Sequence, residues 1–353
     1  MKNHLWLILS LSLLSLNGHA IVMRHDVAPS HYIVNPGQYK NVVDLDFLTG
    51  TLIAPQWIVT AAHGVDPMPG GQTLTINQQE YRVSHILVHP EYNRDNQDHD
   101  IALLKLDRPV KGVTPAALYT QGDELNKQVW FVGRGYVGNG KVGVTGASEH
   151  LHHAQNTVSG TENLWISFTF NAPEKNALPL EGISGPGDSG GPAFIETASG
   201  LKIAGISSHQ RGITSVEGVY GVSEHYVRVS THQKWLNSSL QLTGKALAQA
   251  SLQRPIYQAK TASQAEKTAL IGSYRLKDGL ELLIEACGNK LCYRWRDQGE
   301  PRVIKKSDDN LWFVPSLNRV FAIVRDSKQA ITKLVLKDFR GERSAVKTSV
   351  NET

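Results

Sequence analysis

From Ile21 to about Val229 the chain repeats one pattern: short runs rich in Val, Ile, Leu and Phe, separated by Gly, Pro, Asn and Asp. Trp57-Ile58-Val59-Thr60, Ile101 to Leu106, Val129 to Val132, Leu164 to Phe170 and Lys202 to Ser207 are such runs, each of strand length. A helical period first emerges over Thr231 to Leu240, where Trp235, Leu236 and Leu240 share one face, so a short closing helix is predicted there. Residues 241–268 are rich in Gln, Ala, Ser, Lys and Thr and poor in large apolar side chains. They read as a linker, partly helical near Ala246 to Leu252. Strand patterns resume from Ala269: Tyr274 to Leu276, Leu280 to Ala286, Cys292 to Arg296, Leu311 to Val314, Val320 to Arg325 and Ile331 to Lys337, with Asp278-Gly279 and Gly288-Asn289 as turns. The expected fold class is all-β, with a small antiparallel β-domain over 269–353. Trp295 and Trp312 in that domain are expected in its core, the usual place for large aromatics, with an exposed binding face as the alternative.

The first twenty residues follow a different rule. After Lys2, the segment Leu5 to Leu16 is apolar except for serines, and Gly18-His19-Ala20 brackets one larger residue with small ones. This layout predicts a secretory signal peptide over 1–20, cut after Ala20. The apolar run falls short of the roughly 20 residues that span a bilayer. The mature chain is therefore expected outside the cytoplasm, secreted or periplasmic, and free of the membrane.

Composition adds limits. A chain of 353 residues, 41% hydrophobic and 19% charged, is ordinary globular material, long enough for two cores. A net charge of +4 over that length is too dilute to argue for a nucleic-acid partner. Cys287 and Cys292 flank the hairpin signal Gly288-Asn289-Lys290-Leu291, and export permits a disulfide across it. One cysteine pair without a nearby histidine pair makes no metal set. His150, His152 and His153 cluster, and a solvated loop is expected there. No cofactor or metal is expected. Oligomeric state stays open.

Three short segments carry chemistry. Thr60-Ala61-Ala62-His63-Gly64 follows a strand; His99-Asp100-Ile101-Ala102-Leu103-Leu104-Lys105-Leu106 sets an acid at the head of an apolar strand; Gly185-Pro186-Gly187-Asp188-Ser189-Gly190-Gly191-Pro192 leaves a serine hydroxyl open between glycines. Singly, each reads as an ordinary loop or turn. In the order His, Asp, Ser they resemble the trypsin-like (chymotrypsin-fold) serine proteases of the secreted bacterial type, and the likeness runs from Ile21 to about Leu240.

That resemblance implies a double antiparallel β-barrel protease domain over 21–240, acting on protein or peptide substrates. It implies His63 as base, Asp100 as its orienting acid and Ser189 as nucleophile, with the amides of Gly187 and Ser189 as the oxyanion hole. It pairs a new Ile21 terminus with Asp188, and signal cleavage would itself create that terminus. It places the floor of the specificity pocket at Ile183 and its walls at Ser208, His209 and Gln210 near Glu224. An isoleucine floor favours small or apolar residues before the cut; Glu224 turned inward would favour basic ones. The chain departs from the family in Met23-Arg24, where two glycines are usual, and in Gly64, where a cysteine is usual. A catalytically silent homologue acting as a binding protein is the competing reading, and an esterase on the same triad a third. The intact triad argues against the first and the Gly-Asp-Ser-Gly-Gly-Pro context against the second.

Overall fold

The computed structural model describes residues 21–147, 150–212, 216–296 and 298–348. The predicted signal peptide, residues 1–20, lies outside the described residues. Strand dominates, as the pattern predicts. Six antiparallel strands make the first sheet, in the order Val42–Asp44, Thr49–Ala54, Trp57–Thr60, Ala102–Leu106, Gln79–Val88 and Thr73–Ile76. The sheet curls until its edge strands touch, around Leu52, Ile58, Tyr81 and Leu104. In the second sheet Pro192–Thr197 pairs with both Gln128–Gly133 and Gly200–Arg211, so the strands between them close on each other. Its interior is aromatic: the Phe131 ring stacks on Tyr226 at 4.9 Å and meets Phe168 edge-on at 4.8 Å. Between the two barrels, Trp57, Val59 and Leu103 from the first pack with Phe194, Ile206 and Val227 from the second. The three reactive segments converge along this seam.

The histidine cluster is not a loop. His152 and His153 open the strand His152–Thr161 and pair with Gln128–Gly133. His152 is buried, because strand alternation turns it inward along with Ala154, Asn156 and Val158.

The segment expected as a linker is docked rather than loose. Its first helix, Gly244–Ala250, buries Leu247 in the inter-barrel cluster, and the Leu252 amide donates to the Ile86 carbonyl at 2.8 Å. A second helix, Gln264–Leu270, was not expected. It starts at a capping box in which the Ser263 side chain accepts from the Glu266 amide and the Glu266 side chain bonds back, a signature that Ser263-Gln264-Ala265-Glu266 does carry.

The C-terminal part is a closed barrel of eight strands from Gly272–Leu276 to Gly341–Thr348, the last pairing with the first. Six of these strands were expected. The other two, Gln298–Asp308 and Gly341–Thr348, are crowded with Lys, Arg and Glu, and few apolar side chains, Ile304 and Ala345 among them, mark their inward faces. Trp312 is buried in the barrel core. Trp295 lies half-buried, with the guanidinium groups of Arg319 and Arg343 each 5.9 Å from its ring. Cys287 and Cys292 form a disulfide. Phe321 is fully buried in this core, so Phe321→Ala should cost about 3–5 kcal/mol through lost burial and the cavity left behind. Denaturant unfolding of the whole chain would read this as an earlier transition for the C-terminal barrel.

Candidate active site

The strand Trp57–Thr60 runs into a single helical turn, Ala62–Val65, which lifts His63 into the seam. A Cβ on Gly64 would fall 2.1 Å from Leu48 Cδ2, so a larger residue there has to displace that side chain. Leu48 fills the room beside the histidine. Asp100 heads the apolar strand Ala102–Leu106 and is wholly buried. It accepts the His63 amide on Oδ1 at 2.7 Å, faces His63 Nδ1 with Oδ2 at 2.7 Å, and accepts the Ser208 hydroxyl on Oδ2 at 2.6 Å. A buried carboxylate is stable only with such partners. Across the seam, His63 Nε2 lies 3.0 Å from Ser189 Oγ. Burial alone would lower the pKa of His63; the hydrogen bond and charge of Asp100 outweigh it and hold the imidazole above its ordinary value.

The loop before Ser189 is shaped by glycine. Gly187 has φ +94°, and a Cβ on it would come 2.9 Å from Gly135 Cα, so both conformation and space demand glycine. Among the described residues, neither the Gly187 nor the Ser189 amide donates to a protein acceptor, while the Asp188, Gly190 and Gly191 amides beside them are all engaged. Two unengaged donors thus flank the hydroxyl, as stabilisation of an oxyanion needs.

Asp188 points away from the cleft. Its carboxylate accepts from the amides of Ile21 at 3.0 Å, Gly135 at 2.5 Å and Gly185 at 2.9 Å. Burial pushes its pKa up to about 6 against those donors.

Beside Ser189 opens a cavity of about 440 Å³. Ser208, Gln210 and Glu224 line it; Ile183 does not. The Ile183 backbone pairs with Val22, and its side chain packs with Val22, Phe170 and Val222. Ile183, expected at the floor, is thus held in a buried cluster apart from the cavity, and Ser184 and Glu224 are among the residues that line it. Glu224 Oε2 accepts the Ser184 amide at 2.9 Å, and burial, with Asp188 nearby, raises its pKa well above the carboxylate range. Gln210 bridges the cavity wall: its Nε2 donates to the Ser184 carbonyl at 2.6 Å and its Oε1 accepts the Gly218 amide at 3.1 Å.

Comparison with known proteins agrees with this geometry. A family model described as Trypsin matches residues 33–236. A trypsin of Phaedon cochleariae is 29% identical over 221 residues, covering 56% of this chain and 80% of that protein. Chymotrypsin-like elastase family member 1 of Homo sapiens is 29% identical over 213 residues, covering 54% and 79%. Vitamin K-dependent protein C of Mus musculus is 28% identical over 235 residues, covering 56% of this chain, which spans only 47% of that longer relative. With more than half its length matched by the family model and the segments around His63, Asp100 and Ser189 inside the match, the chain belongs to the trypsin family.

Proposed function

We propose that this chain is an exported serine endopeptidase using Ser189, His63 and Asp100. The observation that carries the reading is the unbroken line of contacts from Ser189 Oγ through the His63 ring to Asp100, with Ser208 bracing the same carboxylate oxygen that faces the ring. His63 takes the serine proton as Oγ attacks the scissile carbonyl and returns it to the leaving amine. Asp100 fixes the ring with its proton on Nδ1 and stabilises the imidazolium that forms. The amides of Gly187 and Ser189 receive the oxyanion. Water then repeats the sequence on the acyl-enzyme. Cleavage after Ala20 would free Ile21 to pair with Asp188.

The same reading assigns a preference for Lys or Arg on the acyl side of the cut. Among the described residues, Glu224 is an acid on the pocket wall with two hydrogen-bond partners, the Ser184 amide and a long 3.5 Å contact from the Ser207 hydroxyl. A cationic side chain entering the cavity would restore the charged form that burial disfavours. Cleavage of a mixed peptide library by the mature chain tests both assignments. Glu224→Gln should lower kcat/KM for basic substrates by about 10- to 100-fold, the cost of leaving a buried charged group without its partner. Cuts following mainly small or apolar residues, unchanged in Glu224→Gln, would remove Glu224 from specificity.

A further inference from the structure

Three histidines, two from the segment leading into Asp100 and one from the start of the closing helix, meet in space. His89 follows the strand Gln79–Val88, His99 directly precedes Asp100, and His232 caps the helix Gln233–Leu240. One nitrogen from each lies within 4.8 Å of the others. His89 and His232 are 8% and 2% exposed, so water does little to separate them.

The outer nitrogen of one ring is already held as a metal-bound imidazole requires, and that of a second faces a carboxylate. His232 Nδ1 lies 2.8 Å from the Arg228 carbonyl oxygen, which can only accept, so this nitrogen carries the proton and Nε2 offers a lone pair. That Nε2 is 3.1 Å from His99 Nδ1. His99 Nε2 in turn faces Glu91 Oε2 at 3.6 Å. A carbonyl on one ring and a carboxylate on the other are the usual outer partners of metal-ligating histidines. The 3.1 Å gap is close to the roughly 3.3 Å that separates two nitrogens on one tetrahedral zinc with bonds of about 2.0–2.1 Å. The third ring, His89, stacks on His99 at 4.5 Å and accepts the Glu91 amide on Nδ1 at 3.2 Å, and it would turn out of both contacts to share the ion.

We propose that His89, His99 and His232 form a Zn²⁺ site that restrains the chain at Asp100. Three imidazoles and one open position suit zinc rather than calcium or magnesium, which take oxygen ligands. His99 has φ +54°, in the left-handed region, and its peptide leads straight to the carboxylate that orients His63. An ion on His99 fixes that turn and sets a dication beside Asp100, weakening the hold of Asp100 on the imidazolium formed during catalysis. Occupation therefore slows peptide cleavage. This last consequence rests on the proposed peptidase activity; the binding does not.

The test measures binding directly on the full mature chain. Zn²⁺ is titrated against a chromogenic chelator, and Co²⁺ is used as a spectroscopic substitute that reports four-coordinate geometry. We expect about one ion per chain, four-coordinate cobalt bands, and affinity weaker by about 10-fold or more in His99→Gln and in His232→Gln. His99→Gln alters a less buried residue, so the test survives if the buried His232 variant does not fold. No binding, or binding that His99→Gln leaves unchanged, overturns the site; the stacked pair His209 and His225 would then be the place to look. In the cleavage assay, zinc should slow the parent chain severalfold, reversibly by chelation, and leave His99→Gln indifferent. Unchanged cleavage with zinc bound overturns the coupling to Asp100. A chain that binds zinc yet cleaves nothing would count against the peptidase reading and leave the site standing.

Discussion

Ser189→Ala is expected to lower kcat for peptide cleavage by roughly 10⁴- to 10⁶-fold with little change in KM, because the hydroxyl makes its contribution in bond making rather than in ground-state binding. His63→Ala should fall in the same range. The two together should cost scarcely more than either alone: Ser189 Oγ and His63 Nε2, 3.0 Å apart, act as one unit. Asp100→Asn tests the third link. An amide at that position keeps the shape but can donate toward Nδ1, turning the ring to the wrong tautomer, and a loss of about 10⁴-fold follows. Residual cleavage in Ser189→Ala should come from the unengaged Gly187 and Ser189 amides and from binding. Rates in Ser189→Ala within tenfold of the parent would assign the chemistry to another group. Covalent labelling of the parent by an acylating inhibitor, absent in the variant, gives the same answer without a substrate.

What the sequence discloses and what it hides divide along physical lines. His63, Asp100 and Ser189 can be picked out because each is fixed by its own neighbours: a strand end, an apolar strand and a glycine-rich turn. Ile183 and Glu224 cannot be sorted that way. Each sits in a strand, where a one-residue slip in register exchanges pocket for core. Pairing of Gly182–Ile183 with Val22–Met23 turns Ile183 inward, and pairing of Ser223–Arg228 with Gly200–Arg211 sets Glu224 opposite Gln210. Both facts belong to tertiary structure. The strands Gln298–Asp308 and Gly341–Thr348 stay hidden because their charged outer faces drown the alternation. The histidine set is hidden by distance along the chain: His89, His99 and His232 share no motif and meet only when the end of Gln79–Val88 and the start of the closing helix reach the same side of the seam. Legible function lies in local turns, and the unreadable part is what register and long-range closure decide.

A chain beginning at Ile21 is expected to cleave peptides at least about 10²-fold faster than the same chain extended by one residue at that end. Ile21 N lies 3.0 Å from Asp188 Oδ2, inside a region where Ile21 is wholly buried. Its φ is +49°, a conformation that a β-branched residue rarely enters. That torsion is defined by the carbonyl of the preceding residue, so removal of residue 20 abolishes the constraint. The same cut turns an amide N–H into an ammonium facing a carboxylate whose pKa burial has pushed up to about 6. Breaking such a buried pair costs about 3–5 kcal/mol, equivalent to roughly 10²- to 10³-fold or more in the population of the ordered loop. Asp188 lies between Gly187 and Ser189, so its position sets the two unengaged amides directly. The sign with pH follows. A free α-amino group titrates near ~8, and activity that depends on its charged form should fall as pH climbs through the alkaline range. Asp188→Asn should remove both the alkaline limb and the advantage of the Ile21 terminus. Intact mass identifies each terminus and steady-state kinetics compares the two chains. Equal kcat/KM in both would detach Ile21 from activation and leave its contact with Asp188 a packing feature of the barrel.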